Sequence, residues 1–175
     1  MTRYHPLLVA LHWLLAIMIV LALVMGHFVL AELPNSDPEK LFSLKMHMGT
    51  GIAILVLMLI RLVVRLRKER PEPANIGNST LNRLGSLTHL LLYLVVFITA
   101  ISGIGISFLA GLPDIVFFGS GAPLPVNFDD LLPRFVHGLV TKLLALLILM
   151  HVGAFIYHQF VRKDGLLSRM WFGGK

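Results

Sequence analysis

Four long apolar stretches, separated by polar segments rich in proline and glycine, dominate the pattern of this chain. Tyr4–Ala31 and Leu84–Pro113 contain no charged residue, Met46–Leu66 has arginine only near its end, and Phe135–Val161 carries only Lys142. A membrane-spanning helix needs about 20 mostly apolar residues, and the backbone inside a bilayer must hydrogen-bond to itself. The pattern therefore predicts an all-α integral membrane four-helix bundle that forms a single membrane domain over residues 1–175. The predicted transmembrane helices lie near 6–31, 46–67, 84–110 and 134–161.

Composition strengthens the membrane prediction, and the placement of charge gives an orientation. Of the 175 residues, 57% are apolar and 14% are charged, whereas about a quarter of an ordinary soluble domain is charged. The net charge of +6 comes from cations at one side of the predicted bundle, which argues against nucleic-acid binding. Cytoplasmic loops of membrane proteins are rich in lysine and arginine, so both termini and the second loop are predicted to be cytoplasmic. These cations are Arg67, Lys68, Arg70, Arg83, Arg162, Lys163, Arg169 and Lys175.

Histidines inside the predicted spans are the main chemical signal. The chain has eight histidines and no cysteine, so a bound haem would be non-covalent and b-type. His137 and His151 are fourteen residues apart, which places them on one face of a helix about 21 Å apart along its axis. At matching depths, His12 is available to pair with His151 near the inner surface, and His47 with His137 near the outer surface. Facing imidazoles in a helical bundle are a common way to hold haem iron.

Several alternatives remain open at this point. His27 competes with His47 for the outer pair, and His89 competes with His12 for the inner one. A lone membrane histidine often bonds only to a helix carbonyl. A histidine cluster can also bind zinc or form a proton relay, and neither function requires haem.

Five further residues are candidates for binding charged groups. Lys142 lies within the fourth span near His137, where a haem propionate, a small anion or contact with the outer interface would each satisfy its charge. Lys45 and Arg134 extend this positive rim, although the aspartates of the third loop oppose it. His89 and His158 lie toward the inner side, where either is predicted to meet a haem propionate.

The motifs around these histidines give the chain a family resemblance. It resembles the bacterial cytochrome b561 family, which is related to the haem-b membrane subunits of respiratory hydrogenases and formate dehydrogenases. The matching motifs are Leu11-His12-Trp13, His47-x-x-x-Gly51-Ile52, Leu57-Met58-x-x-Arg61-Leu62, His89-x-x-x-Tyr93, then His137, His151 and His158, and Lys163-Asp164-x-x-Leu167-x-Arg169-Met170.

The resemblance implies a specific cofactor set and activity. It implies a bacterial inner-membrane bundle with two haems b, the inner one held by His12 and His151 and the outer one by His47 and His137. It further implies an oxidoreductase that oxidises superoxide at the outer face and reduces ubiquinone. Lys142 is then a candidate to attract superoxide, and His89 and His158 are candidates to bond to a haem propionate or a quinone carbonyl. Other relatives instead act as electron-transfer anchors that pass electrons between a partner protein and the quinone pool. Lys142 and His27 depart from the family pattern, and neither departure removes a ligand.

Overall fold

A computed structural model describes residues 3–69, 71–72 and 77–172 of the chain. Arg70 and Lys175, which the sequence analysis counts among the cations, lie outside these residues. All regular secondary structure in the described part is helical, and four of its helices are long and apolar enough to cross a membrane. The prediction of an all-α, four-span membrane protein is thereby confirmed.

The helices are numbered here in chain order. They are α1, Pro6–Met25, which continues as the π-helical turn Gly26–Leu30; α2, Pro38–Arg67; α3, Ser79–Leu109; the short α4, Leu112–Val116; α5, Leu132–Ile156, which continues as the π-helical turn Tyr157–Arg162; and the short α6, Leu166–Arg169.

Side-chain caps and prolines explain where the long helices begin. The Asp37 carboxylate accepts a hydrogen bond from the Glu39 backbone N–H at 2.8 Å, and Pro38 occupies the first turn, where no N–H is needed. Asn78 caps α3 in the same way by accepting from two backbone N–H groups. The cap at Asp37 makes residues 38–45 helical, although the sequence pattern alone places them in the first loop.

The long helices pack in a way that leaves α5 apart from two of its neighbours. Within the described residues, close helix-to-helix packing joins α1 to α2, α2 to α3 and α3 to α5, but not α5 to α1 or α2. At mid-height all four long helices contribute to one apolar core cluster, whose buried members are Leu15, Ile54, Met58, Val95, Val96, Leu144 and Leu147. Much of the outer surface is apolar, and Leu149 is 70% exposed, as expected of a side chain that faces lipid.

The two ends of the bundle differ in how they are closed. At the end that carries both termini, called the inner end here, the Trp13 indole N–H donates to the Met170 carbonyl at 2.8 Å. There the Arg169 guanidinium also donates to the Glu72 carbonyl at 2.9 Å. At the opposite, outer end, α4 and the start of α2 form a second apolar cluster around Leu44, Leu112 and Val116.

Candidate functional site

Four of the histidines form two facing pairs with nearly identical geometry. The ring centres of His47 and His137 are 6.3 Å apart with 78° between the ring planes, and those of His12 and His151 are 6.3 Å apart with 77° between them. An imidazole nitrogen lies about 2 Å from a bound metal and the ring centre about 1 Å farther, so two rings on opposite sides of one metal are about 6 Å apart. Each pair therefore has room for one metal between its rings.

Both pairs lie across the interfaces where helices do not pack closely. His12 and His47 are on α1 and α2, and their partners are on α5, which stands apart from those two helices. A flat cofactor inserted edge-on between helices needs this kind of separation. Both pairs therefore occur where α5 does not pack closely against the helix that carries the partner histidine.

The orientation of His137 is fixed by α3. Its Nδ1 lies 3.0 Å from the Thr99 carbonyl oxygen and 3.1 Å from the Ser102 hydroxyl. Because a carbonyl only accepts, Nδ1 carries the proton and donates, which leaves the Nε2 lone pair free for a metal. His47 is less restrained, since its buried Nδ1 has no hydrogen-bond partner among the described residues.

A large cavity opens around the outer pair. Its volume is about 960 Å³, at the upper end of the range of about 300–1,000 Å³ for small-molecule sites, and its walls include His47 and His137. Two glycines admit the rings: a Cβ added at Gly26 would lie 3.4 Å from His47 Cε1, and one at Gly103 would lie 3.2 Å from His137 Cε1. Gly51 also lines the cavity, and a Cβ there would meet no atom within 4 Å. The outer site thus has the space and the ligand nitrogens that a haem needs.

The inner pair is more crowded, because a third histidine joins it. The ring centres of His89 and His151 are 5.2 Å apart, which is shorter than the separation expected for two rings around one metal. His89 also bonds to the Gly85 carbonyl one turn earlier in α3. The geometry therefore favours His12 over His89 as the partner of His151, with His89 beside them.

Two arginines and a tyrosine complete the inner surroundings. Arg61 donates to the Leu8 carbonyl at 2.7 Å, which ties α2 to α1. The guanidinium of Arg65 lies 5.1 Å from the ring centre of Tyr93, within range of a cation–π contact. These contacts keep two cations near the inner histidines.

The donor set fits haem better than a bare metal ion. In the part of the chain that the structure describes, no three histidine or carboxylate side chains are grouped so that they could hold a metal ion. A structural zinc site needs four protein ligands and a catalytic one three, whereas a haem brings four ring nitrogens and needs only two axial ligands. Paired histidines therefore match the requirement of haem iron.

The remaining predicted candidates lie at the two ends of the bundle. Lys142 is exposed on α5 and lines both the outer cavity and a smaller cleft of about 290 Å³, together with Arg134 and Asp129. His27 is exposed on the π-helical turn, where its ring contacts Phe28, and it also borders the outer cavity.

At the inner end, His158 pairs with a carboxylate beyond the fourth span. Its Nδ1 lies 2.5 Å from Asp164 Oδ2, and Arg162 lies 3.7 Å from the same oxygen. Burial acts to raise the pKa of Asp164, but the hydrogen bond and charge of His158 outweigh it and hold that pKa below its usual value, with a further contribution from Arg162. An ionised Asp164 accepts from Nδ1, so the Nε2 of His158 is left for another partner.

Three residues of the outer site were not singled out from the sequence. Thr99 and Ser102 orient His137 across a helix interface that no local pattern reveals. Lys40 is 5% exposed and borders the outer cavity. Its position seven residues before His47 places both on one face of α2, which is a signal that the sequence does contain.

A four-helix membrane bundle with facing histidines at two depths has the architecture of a membrane haem-b electron-transfer protein. Comparison with known proteins agrees with this class. The family described as prokaryotic cytochrome b561 matches residues 3–173, and the chain belongs to that family.

Relatives of similar length support the same assignment. The chain is 30% identical to a protein of Yersinia pestis named probable superoxide oxidase CybB, over 96% of this chain and 95% of that one. It is 25% identical to cytochrome b561 homolog 1 of Escherichia coli K12, over 97% of each chain, and 29% identical to cytochrome b561 homolog 2 of the same strain, over 96% and 90%. Family membership makes this a bacterial inner-membrane protein that transfers electrons and binds haem b.

Proposed function

We propose that the chain binds two haems b and moves electrons between them across the membrane. The observation that carries this proposal is the equal spacing of the two histidine pairs, 6.3 Å in each case. His12 and His151 would hold the inner haem, and His47 and His137 the outer one. When bound, haem b supplies reversible one-electron transfer.

The orientation follows from the distribution of cations. The inner end carries the second connection and the C-terminal segment, which are rich in lysine and arginine. By the positive-inside rule this end, with both termini, faces the cytoplasm. The outer cavity then opens toward the periplasm.

We propose superoxide as the electron donor at the outer face. Support comes from the name of the Yersinia pestis relative, a probable superoxide oxidase, and from the cations at the outer cavity. Arg134 and Lys142 border this cavity with one carboxylate, Asp129, so its rim is net positive. A positive rim attracts a small anion and raises its encounter rate.

We propose ubiquinone as the acceptor at the inner end. Two superoxide anions each lose one electron and leave as dioxygen, and the two electrons with two protons convert one ubiquinone to ubiquinol. With its Nδ1 held by Asp164, a protonated His158 carries its second proton on Nε2 and can donate it to a quinone carbonyl, so this pair can orient the ring and pass on a proton. His89, next to His151, is the second candidate for contact with quinone or a propionate.

The direct test measures superoxide-driven reduction. Purified protein with added ubiquinone, supplied with superoxide from an enzymatic source, should show reduced haem bands and form ubiquinol. The rate should fall as salt rises, because the Debye length shortens to about 8 Å at 0.15 M ionic strength.

Lys142→Met should slow this reduction severalfold at low salt while haem content stays unchanged. Lys68→Met, which removes the same charge at the inner end, is the matched control and should leave the rate as in the wild type. Haems that dithionite reduces but superoxide does not would favour the alternative function, a haem-b anchor that relays electrons from a partner protein to quinone. Fast reduction whose rate depends on neither salt nor Lys142 would support the proposed enzyme activity and would contradict a role of Lys142 in attracting superoxide.

A further inference from the structure

A buried lysine lies at the outer end of the outer cavity. Lys40, in the first turns of α2, is only 5% exposed. Its Nζ donates to the Leu30 carbonyl at 2.5 Å and to the Leu33 carbonyl at 2.6 Å. Those carbonyls belong to the end of the π-helical turn after α1 and to the loop that follows. An ammonium has three N–H donors, so one remains beyond these two bonds.

The charge of Lys40 is not compensated by the protein around it. Among the described residues, no carboxylate oxygen lies within 4.0 Å of its Nζ, since Asp164 is the carboxylate in both ion pairs that occur there. Arg134 borders the same cavity and repels Lys40. Asp129 also borders it but forms an ion pair with neither cation. A buried charge that has carbonyl acceptors but no counter-ion is still costly, so this arrangement favours an anion in the cavity.

Helix geometry places the two cations relative to the histidine pair. Lys40 precedes His47 by seven residues, which puts both on one face of α2 with Lys40 about 10 Å nearer the outer surface. Arg134 precedes His137 by three residues, nearly one turn nearer that surface on α5. Both cations therefore lie on the outer side of the proposed haem position. The carboxylates are the anionic groups at the edge of haem b, and water lies in this direction.

We propose that Lys40, with Arg134 beside it, holds a propionate carboxylate of the outer haem. The inference rests on the proposed outer haem site at His47 and His137. Lys40 would join three elements: the end of α1, the start of α2 and the cofactor. In a competing reading, Lys40 serves only to cap the carbonyls of Leu30 and Leu33, and no anion is involved.

The two readings differ in what they require of the haem. The full-length chain, produced without haem, is titrated optically with haem b and with its dimethyl ester, in which both carboxylates are blocked. Loss of a hydrogen bond to a charged group corresponds to about 10- to 100-fold weaker binding. Lys40→Met should weaken binding of the second equivalent of haem b by that factor and leave binding of the ester unchanged.

Two further variants make the experiment selective. Lys68→Met removes an exposed lysine at the C-terminal end of the same helix, α2, and should leave both ligands bound as in the wild type. Lys40→Gln is slightly shorter but keeps N–H donors on the side chain while it removes the charge, so it should match Lys40→Met in its selective loss of haem b.

Equal weakening for haem b and its ester, or no weakening for either, would overturn the inference and leave Lys40 as a cap. A wild-type chain that binds fewer than two haems would overturn the proposed function and this inference together. Two haems in the wild type without selective loss would overturn the inference alone.

Discussion

Removal of one histidine at a time tests the proposed pairing most directly. His137→Ala deletes the imidazole that Thr99 and Ser102 orient, and with it one of two proposed axial ligands of the outer haem. The chain should then bind one haem instead of two. His151→Ala should have the converse effect and leave the outer haem in place.

The distance between the two sites predicts that the loss of one haem leaves the affinity for the other nearly unchanged. His137 and His151 are separated by about 21 Å along α5, and the core cluster that includes Leu144 and Leu147 lies between them. Sites farther apart than about 7–10 Å with no shared partner usually couple by less than about 0.5 kcal/mol. The haem that remains in each variant should therefore keep its affinity within about twofold of the wild type.

The assay is haem per chain, measured by absorbance of the extracted haem against protein concentration, together with reduced-minus-oxidised spectra. His27→Ala, at the outer end, and His158→Ala, on the same helix as both proposed ligands, are matched controls that should retain two haems. A His137→Ala chain that still binds two haems would refute the pairing. Loss of both haems from a variant with wild-type helix content and elution volume would refute the independence of the sites.

Two further predictions concern the packing of a ligand and an ion pair at the inner end. Gly103→Ala should weaken binding of the outer haem severalfold, because the new Cβ would lie 3.2 Å from His137 Cε1; Gly49→Ala, where a Cβ meets nothing within 4 Å, is the control in the same haem titration. Asp164→Asn should lower the melting temperature near neutral pH, because the bond from His158 holds the pKa of Asp164 below its usual value. The bond stabilises the fold above the pKa of an unfolded aspartate, and this stabilisation is lost as pH falls through the pKa of Asp164 in the folded protein. The difference in melting temperature between the wild type and Asp164→Asn should therefore shrink on acidification. A difference that grows would contradict the role of this pair.

The sequence predicts the membrane spans and the proposed haem ligands because both depend on local periodicity. Apolar length predicts the membrane helices, and the fourteen-residue spacing places His137 and His151 on one face whatever the tertiary structure. The same spacing rule could not rank His89 against His12, since both lie at the inner depth. That ranking depends on the distances between the helices. The ring centre of His151 lies 5.2 Å from that of His89 and 6.3 Å from that of His12.

Other parts of the site depend on contacts between distant segments. In the sequence, Lys40 is a charged residue of the first predicted loop. Its burial depends on the helix cap at Asp37 and on carbonyls at and after the end of the π-helical turn Gly26–Leu30. The bond between His158 and Asp164 crosses a π-helical turn and a left-handed residue, Lys163, with φ of 55°. The seven-residue spacing places Lys40 on the same face of α2 as His47, but no periodic pattern predicts its contacts with these carbonyls or the bond between His158 and Asp164.

The layer between the two histidine pairs bears on what can cross the membrane through this protein. Its buried members are aliphatic side chains and one methionine, among them Leu15, Ile54 and Leu144. None of these buried side chains can donate or accept a proton, although Tyr93, which carries a hydroxyl, packs against the cluster. Electron transfer needs no such chain of polar groups. The apolar layer is therefore compatible with the proposed electron transfer, and we propose that protons for quinone reduction enter at the inner end. There His158, in the π-helical turn that continues α5, forms a hydrogen-bonded pair with Asp164 close to the surface.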